Sequence, residues 1–143
     1  MFKSILLAVD GSEESNKAID YVKSLAEKYN SRILILNVFE LPLVVDPYDT
    51  HAEIFQDIEN NLRSHSQTIL EDVKNKFSDL NIQIEGQSFQ GHIGSIIVEV
   101  ANKSNIDLIV MGSRGLGSVK SLLLGSVSNY VTNHAKCPLI LVK

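Results

Sequence analysis

The chain of 143 residues has 44% hydrophobic and 21% charged residues, which is typical of one compact domain, and we expect a single domain over residues 1–143. With only eight glycines and three prolines, the composition excludes a disordered chain, a collagen and a coiled coil. The net charge of −4 argues against sequence-independent binding to DNA, which needs many Lys and Arg contacts to phosphates, so we expect no nucleic-acid partner.

The first apolar run covers residues 5–9 and ends at Asp10. It is too short for a signal peptide or a membrane span, so we expect a cytoplasmic protein with no membrane partner. The run lacks polar alternation, which favours a strand covered on both faces, as in a parallel sheet.

A helix is predicted after this strand. Ser12 is a suitable N-cap, two glutamates follow in the first turn, and apolar residues recur at helical spacing as far as Tyr29. Residues 33–38 are rich in β-branched and apolar side chains and predict a second buried strand.

Residues 39–50 fit neither periodicity and are interpreted as a loop that covers either a ligand site or a partner. Residues 54–77 then predict a long amphipathic helix, interrupted at a polar turn at residues 65–66. A weaker strand over residues 82–89 carries a glycine and polar neighbours, as expected at a sheet edge.

The last third of the chain repeats the alternation. A short helix opens near Gly91, a buried strand covers residues 108–111, and a loop rich in Gly and Ser covers residues 112–124. A helix over residues 126–134 and a final strand over residues 139–142 complete the prediction.

Five strands alternating with four helices indicate an α/β fold with an open parallel five-stranded sheet and helices on both faces. If the strand order is 3-2-1-4-5, the winding reverses between the first and fourth strands, and ligands bind at the carboxyl ends of the strands there. Those ends are Asp10 and Gly112. The apolar last strand would lie at an edge, so we expect a homodimer paired through it.

The strongest local signal combines a glycine loop with a helix start. Gly112 and Gly115 would let the backbone leave the strand with unusual dihedral angles and with no Cβ in the way of a ligand. The segment from Gly125 to Ser128 opens a helix, where free N–H groups and small hydroxyls can face the same spot. From Leu108 onward there are four basic residues and no acid. These features predict a cradle for phosphate oxygens, with purely structural tight turns and a chance charge distribution as the alternatives.

Three stretches resemble the universal stress protein family, and the resemblance extends over essentially the whole chain. They read ILLAVDGS at residues 5–12, DLIVMGSRG at residues 107–115 and CPLILV at residues 137–142. The spacing Gly-x2-Gly-x9-Gly-Ser, which begins at Gly112, is the signature of that family's ATP-binding branch. The resemblance implies a Rossmann-like fold of the adenine nucleotide alpha hydrolase type, a homodimer through the last strand and a role in surviving stress.

The same resemblance implies a set of site residues for ATP, ADP or AMP, with Mg²⁺. Ala8, Asp10 and Val38 would contact the adenine and ribose. The residues around the phosphates would be Gly112, Ser113, Arg114, Gly115, Gly125, Ser126, Val127 and Ser128. Lys120 or Arg114 would either neutralise phosphate charge or remain solvated.

No catalytic residue is predicted. Asp10 is the only evident carboxylate near the loop, whereas phosphoryl transfer needs a positioned acceptor and strong charge stabilisation. We therefore expect a nucleotide-dependent switch or sensor with slow or no ATP hydrolysis. The alternatives are a dimeric interaction module that needs no nucleotide and an adenylate-forming or ATP-hydrolysing enzyme. The four histidines, at positions 51, 65, 92 and 134, lie in separate elements and predict no metal site.

Overall fold

The chain alternates strands and helices throughout the part that the computed structural model describes, which is residues 1–43, 52–116, 121 and 123–143. The elements are β1 Ser4–Ala8, α1 Glu13–Tyr29, β2 Arg32–Phe39, α2 Ala52–Asn75, β3 Ile84–Gln90, α3 Ile93–Lys103, β4 Leu108–Gly112, α4 Ser126–His134 and β5 Leu139–Val142. The strands form one sheet in the order β3-β2-β1-β4-β5, and all four neighbouring pairs are parallel. The predicted fold class and strand order are confirmed.

Each face of the sheet packs against two helices. Ile5 and Leu7 of β1 belong to a core shared with α1 and α2, whereas Leu6 and Ala8 belong to a second core shared with α3 and α4. All five residues of β1 are buried. The unalternating apolar sequence of this strand therefore has the structural cause that was expected, because both of its faces are covered.

The long helix α2 is continuous, so the predicted turn at residues 65–66 is wrong. Ser66 is buried, and its hydroxyl lies 2.5 Å from the hydroxyl of Ser88 on β3. The polar residue therefore makes a contact with the sheet and does not interrupt the helix. A buried hydroxyl needs such a partner, and this one lies 22 residues further along the chain.

The reversal of winding brings the ends of two central strands together. β1 pairs with β2 on one side and with β4 on the other, so Ala8 and Gly112 end neighbouring parallel strands at the same edge of the sheet. Gly112 was predicted to open the loop, but it is the last residue of β4 and pairs with Val142. Among the described residues, no helix is long and apolar enough to cross a membrane.

Candidate functional site

A cavity of about 540 Å³ opens where the carboxyl ends of β1, β2 and β4 meet the first turn of α4. Ten of the eleven predicted site residues lie on its wall. They are Ala8, Asp10, Val38, Gly112, Arg114, Gly115, Gly125, Ser126, Val127 and Ser128. The structure thus brings together residues from positions 8 to 128 at the crevice that the strand order predicts for a ligand.

Asp10 ties the two loops of the site to each other. Its Oδ1 accepts a hydrogen bond from the backbone N–H of Ser12 at 2.9 Å, and its Oδ2 accepts one from the backbone N–H of Leu116 at 3.3 Å. The carboxylate therefore joins the turn after β1 to the loop after β4. Such bonds to a charged acceptor are stronger than neutral ones, so the mouth of the cavity is held by a fixed contact.

The two loop glycines are needed for close approach, not for unusual dihedral angles. Neither has a positive φ, whereas Gly11 and Gly91 have φ of 83° and 146°. A Cβ on Gly112 would lie 2.9 Å from the Cβ of Glu14, and a Cβ on Gly115 would lie 2.7 Å from Oδ2 of Asp10. The dihedral part of the predicted reason is therefore wrong. A Cβ at Gly112 would meet the Cβ of Glu14 and the backbone of α1, and a Cβ at Gly115 would displace the Asp10 carboxylate.

The residues of the first turn of α4 lie on the cavity wall. Gly125 is the N-cap, its backbone is extended, and no side chain caps the helix. The first helical bond runs from the N–H of Asn129 to the carbonyl of Gly125 at 3.0 Å, so the preceding N–H groups have no acceptor inside the helix. The first turn contains no acidic residue. The positive end of this helix is therefore directed at the cavity without a charge of its own to compensate it.

Two predicted phosphate ligands have other roles. Ser113 is buried and is absent from the cavity wall, and its hydroxyl has no hydrogen-bond partner among the described residues. Ser128 reaches the wall, but its hydroxyl donates to the carbonyls of Ser113 at 2.5 Å and Gly125 at 3.1 Å. The Ser113 hydroxyl is thus buried behind the loop, whereas the Ser128 hydroxyl, which was expected to face the ligand, donates to carbonyls of the loop and holds it in place.

The backbone of Ser113 links three elements. Its N–H donates to the carbonyl of Val142 on β5 at 2.8 Å, and its carbonyl accepts from the N–H of Gly125 at 2.8 Å. The start of α4 is therefore anchored to the end of β4 and to the edge strand. This explains how the loop can leave β4 and still return its far end to the same cavity.

Glu14 is a site residue that the sequence did not reveal. Its Oε1 lies 3.2 Å from Nη2 of Arg114, and their side chains are 19% and 27% exposed. The two residues are 100 positions apart, and the acid-free composition after Leu108 gave no sign of a carboxylate beside the loop. The predicted phosphate-facing arginine is thus already half of an ion pair.

Helices also contribute wall residues that the local motifs did not mark. Leu62, His65 and Ile69 of α2 contribute one side, and His92 with Tyr130 contribute another. The His92 and Tyr130 rings meet edge to face with centroids 5.0 Å apart. The amphipathic pattern of α2 is the one signal that could have suggested its part, since its apolar face must lie against the sheet or the cavity.

The histidines do not assemble into a metal site in the described part of the chain. His65 and His92 both reach the cavity, but no group of three or more His, Cys, Asp or Glu side chains there is placed to hold a metal ion. Burial raises the pKa of the Cys137 thiol, and the hydrogen bond from Lys23 lowers the pKa of the Asp79 carboxyl. Neither of these two residues lines the cavity.

Some predicted features lie outside the described residues. Lys120, His51 and most of the predicted loop over residues 39–50 belong to this group. Of that loop, residues 39–43 are described, and Phe39 and Glu40 lie on the cavity wall.

Comparison with known proteins identifies the class that this fold and cavity represent. The profile of the universal stress protein family matches residues 1–143. The chain belongs to the universal stress protein family. It is 32% identical to the universal stress protein YxiE of Bacillus subtilis over 148 residues, with both chains covered completely. A universal stress protein of Thermus aquaticus is 34% identical over 146 residues, again with both chains covered completely.

Solved structures show the same fold. The MJ0577 protein of Methanocaldococcus jannaschii superposes with a TM-score of 0.88 at 26% identity, covering 100% of this chain and 96% of that one. An Arabidopsis thaliana universal stress protein family member with AMP bound gives a TM-score of 0.70 at 23% identity, covering 99% of this chain and 91% of that one. A universal stress protein in complex with cAMP gives a TM-score of 0.72 at 22% identity, covering 99% of this chain and 96% of that one.

Proposed function

We propose that the protein binds an adenine nucleotide in this cavity and acts as a nucleotide-dependent switch or sensor in stress response. The ligand is ATP with Mg²⁺, or ADP or AMP in its place. The observation that carries the proposal is the uncapped first turn of α4, whose residues lie on the wall of a cavity large enough for a small ligand. The family members with bound AMP and cAMP are consistent with it, although at 23% and 22% identity they establish the shared fold alone.

The two ends of the cavity suit the two ends of a nucleotide. Apolar side chains from β2, α3 and β4 form one part of the wall, including Val38, Ile97 and Met111, and an adenine ring would be buried against them. The uncapped turn at Gly125 and the loop from Gly112 to Gly115 form the part that would hold phosphates. Because a hydrogen bond to a charged group contributes about 1.5 to 3 kcal/mol, a few backbone donors are enough for micromolar binding.

Mg²⁺ fits this site as a companion of the phosphates. Magnesium is usually held by one or two carboxylates together with phosphate oxygens and water. Asp10 is the carboxylate on the wall beside the loop, and each of its oxygens keeps lone pairs beyond the backbone bond that it accepts. When bound, the ion would offset phosphate charge near Asp10.

The arrangement supports slow or no hydrolysis. A rapid hydrolase needs a carboxylate or similar group positioned to orient the attacking water. Of the described carboxylates beside the loop, Asp10 holds the two loops together and Glu14 is paired with Arg114. We further propose that the protein is cytoplasmic and forms a homodimer through β5, the edge strand next to β4.

Nucleotide-dependent stabilisation tests the proposal. A ligand that binds only the folded state raises the unfolding midpoint, by about 2.7 kcal/mol at a hundredfold excess over the dissociation constant. We expect Mg-ATP, ADP or AMP to raise the midpoint of urea unfolding and equal concentrations of inorganic phosphate to leave it unchanged. An unchanged midpoint with every adenine nucleotide would refute the proposal and favour the nucleotide-independent interaction module. Turnover of ATP faster than about one per second would refute the switch and favour an enzyme.

A further inference from the structure

The ion pair between Glu14 and Arg114 places a second carboxylate beside the loop proposed to hold phosphates. Arg114 lies on the cavity wall, and its Nη2 is 3.2 Å from Oε1 of Glu14. Both side chains are largely withdrawn from solvent, so their charges are screened less than those of a surface pair. Any anion that contacts Arg114 therefore also experiences the charge of Glu14.

The backbone makes this proximity unavoidable. Gly112 lies so close to α1 that a Cβ there would be 2.9 Å from the Cβ of Glu14 and 3.0 Å from the N of Ser15. The start of α1 is consequently packed against the end of β4. The backbone and Cβ of Glu14 are therefore held beside the end of β4, and the ion pair with Arg114 places its carboxylate there as well.

The charged side chains beside the loop, among the residues that the structure describes, do not favour a long phosphate chain. Asp10 and Glu14 contribute two negative charges and Arg114 one positive charge, which leaves one net negative charge among these three residues. The backbone N–H groups of α4 favour one phosphate group at close range. Each further phosphate adds negative charge that Arg114 cannot offset fully, because Glu14 already compensates it.

We propose that Glu14 is a specificity-determining residue that limits the preference of this site for nucleotides with more phosphates. This inference rests on the proposed binding of adenine nucleotides. By neutralising Arg114, Glu14 keeps AMP competitive with metal-free ATP and makes tight binding of ATP dependent on Mg²⁺. The physical cause is the electrostatic repulsion between the Glu14 carboxylate and the additional negative charges of a polyphosphate.

The substitution Glu14→Gln isolates this charge. Glutamine keeps an oxygen that can accept from Arg114 but removes the negative charge. Calorimetry at low salt with EDTA would measure the affinities of AMP, ADP and ATP for the wild type and the variant. We expect the ratio of ATP to AMP affinity to rise about tenfold in the variant, with ADP between them, and saturating Mg²⁺ to reduce the gain to about threefold.

Glu13→Gln is the matched control. Glu13 lies in the same helical turn, is exposed, and pairs with Lys17 of its own helix at 3.0 Å. The control variant removes the same formal charge but retains the ion pair between Glu14 and Arg114, so its ratio of ATP to AMP affinity should stay within about twofold of the wild type. The unfolding midpoint of each variant without nucleotide shows whether the fold is retained.

The reverse substitution keeps the test decisive if Glu14→Gln does not fold. Arg114→Gln leaves the carboxylate uncompensated, so it should weaken ATP binding several times more than AMP binding. The inference is overturned if the wild type binds nucleotides but neither variant at Glu14 or Arg114 changes the ratio, or if Glu13→Gln changes it equally. A wild type that binds no adenine nucleotide refutes the proposed function itself, which is a different outcome.

Discussion

Two helices begin at the same cavity, and they begin differently. At α1 the hydroxyl of Ser12 accepts from the N–H of Ser15 at 3.2 Å, the carboxylate of Asp10 accepts from the N–H of Ser12, and two glutamates occupy the first turn. At α4 the N-cap is Gly125, no side chain accepts from the first turn, and no acid is present. The first turn of α1 thus has a side-chain cap and two acids of its own, whereas the first turn of α4 has neither and lies on the cavity wall.

This difference assigns different roles to similar elements. A helix N-terminus attracts anions through its unpaired N–H groups and its dipole, and both effects are diminished when the chain supplies its own acceptors and carboxylates. The α1 terminus is therefore a structural part of the site, which fixes Asp10 and Glu14. The α4 terminus is the part suited to a ligand. Substitutions that exchange these roles test the comparison directly.

The largest effect is expected from supplying α4 with an acid of its own. Ser126 is exposed on the cavity wall in the first turn, so Ser126→Glu would place a carboxylate where a phosphate is proposed to bind. We expect the affinity for ATP to fall at least about 30-fold while the unfolding midpoint without ligand stays equal or rises, because an acid there suits the helix dipole.

The control for this substitution is Asn129→Glu, one turn further along α4. Asn129 is exposed and is absent from the cavity wall. Calorimetry should show that it weakens ATP binding by no more than about fivefold. Equal losses in the two variants would mean that general repulsion, and not the first turn of α4, determines binding.

The next largest effect concerns the Asp10 carboxylate, which joins the turn after β1 to the loop after β4. Gly115→Ala would bring a Cβ within 2.7 Å of Oδ2 of Asp10, so we expect a loss of about 2 kcal/mol in the free energy of unfolding, measured in urea. In an Asp10→Ala background, Gly115→Ala should lower the free energy of unfolding by clearly less, because the carboxylate that the new Cβ would clash with is then absent. A large loss that persists without Asp10 would contradict this account of the glycine.

Gly86→Ala provides the matched control for Gly115. A Cβ at Gly86 would lie 3.7 Å from the Cβ of Leu70, which is an ordinary contact, and its φ is not positive. We expect the free energy of unfolding to stay equal or to increase by about 0.4 to 1 kcal/mol, as alanine restricts the unfolded chain.

The sequence predicted what local patterns determine. The start of α4 at Ser126 and the bounds of β5 match the structure, because a glycine-serine pair before an apolar period and a short β-branched run have few other interpretations. The parallel sheet follows from the alternation of elements. Its strand order does not follow from the alternation and was implied by the family resemblance, and the position of the cavity follows from that order.

The sequence could not predict contacts between distant residues. The polar residue Ser66 suggested a turn because its partner on β3 cannot be inferred from its neighbours. The pairing of Glu14 with Arg114 joins positions 100 apart, and the close approach at Gly112 depends on how α1 packs on β4. Such details are set by tertiary packing, which overrides what each segment indicates alone.

A smaller effect is expected from removing the cap of α1. Ser12→Ala deletes the acceptor for the N–H of Ser15, which should cost about 1 kcal/mol in the free energy of unfolding. Because the α1 terminus is a structural part of the site, ATP affinity should change by less than about threefold. The matched variant Ser24→Ala removes an exposed hydroxyl that donates within the same helix, and its stability should stay within about 0.5 kcal/mol of the wild type.

The smallest effect is expected at Ser113, whose hydroxyl is buried without a partner among the described residues. The loop is anchored there by the backbone N–H and carbonyl, which Ser113→Ala retains. Removing an unsatisfied hydroxyl should leave the free energy of unfolding unchanged or raise it by up to about 1 kcal/mol, with ATP affinity unaltered. Ser128→Ala deletes a buried hydroxyl that donates to that same carbonyl, and it should lose about 1 to 2 kcal/mol. If urea unfolding instead showed a larger loss of unfolding free energy for Ser113→Ala than for Ser128→Ala, the start of α4 would depend on the Ser113 side chain. The account in which only the Ser113 backbone anchors that helix would then be wrong.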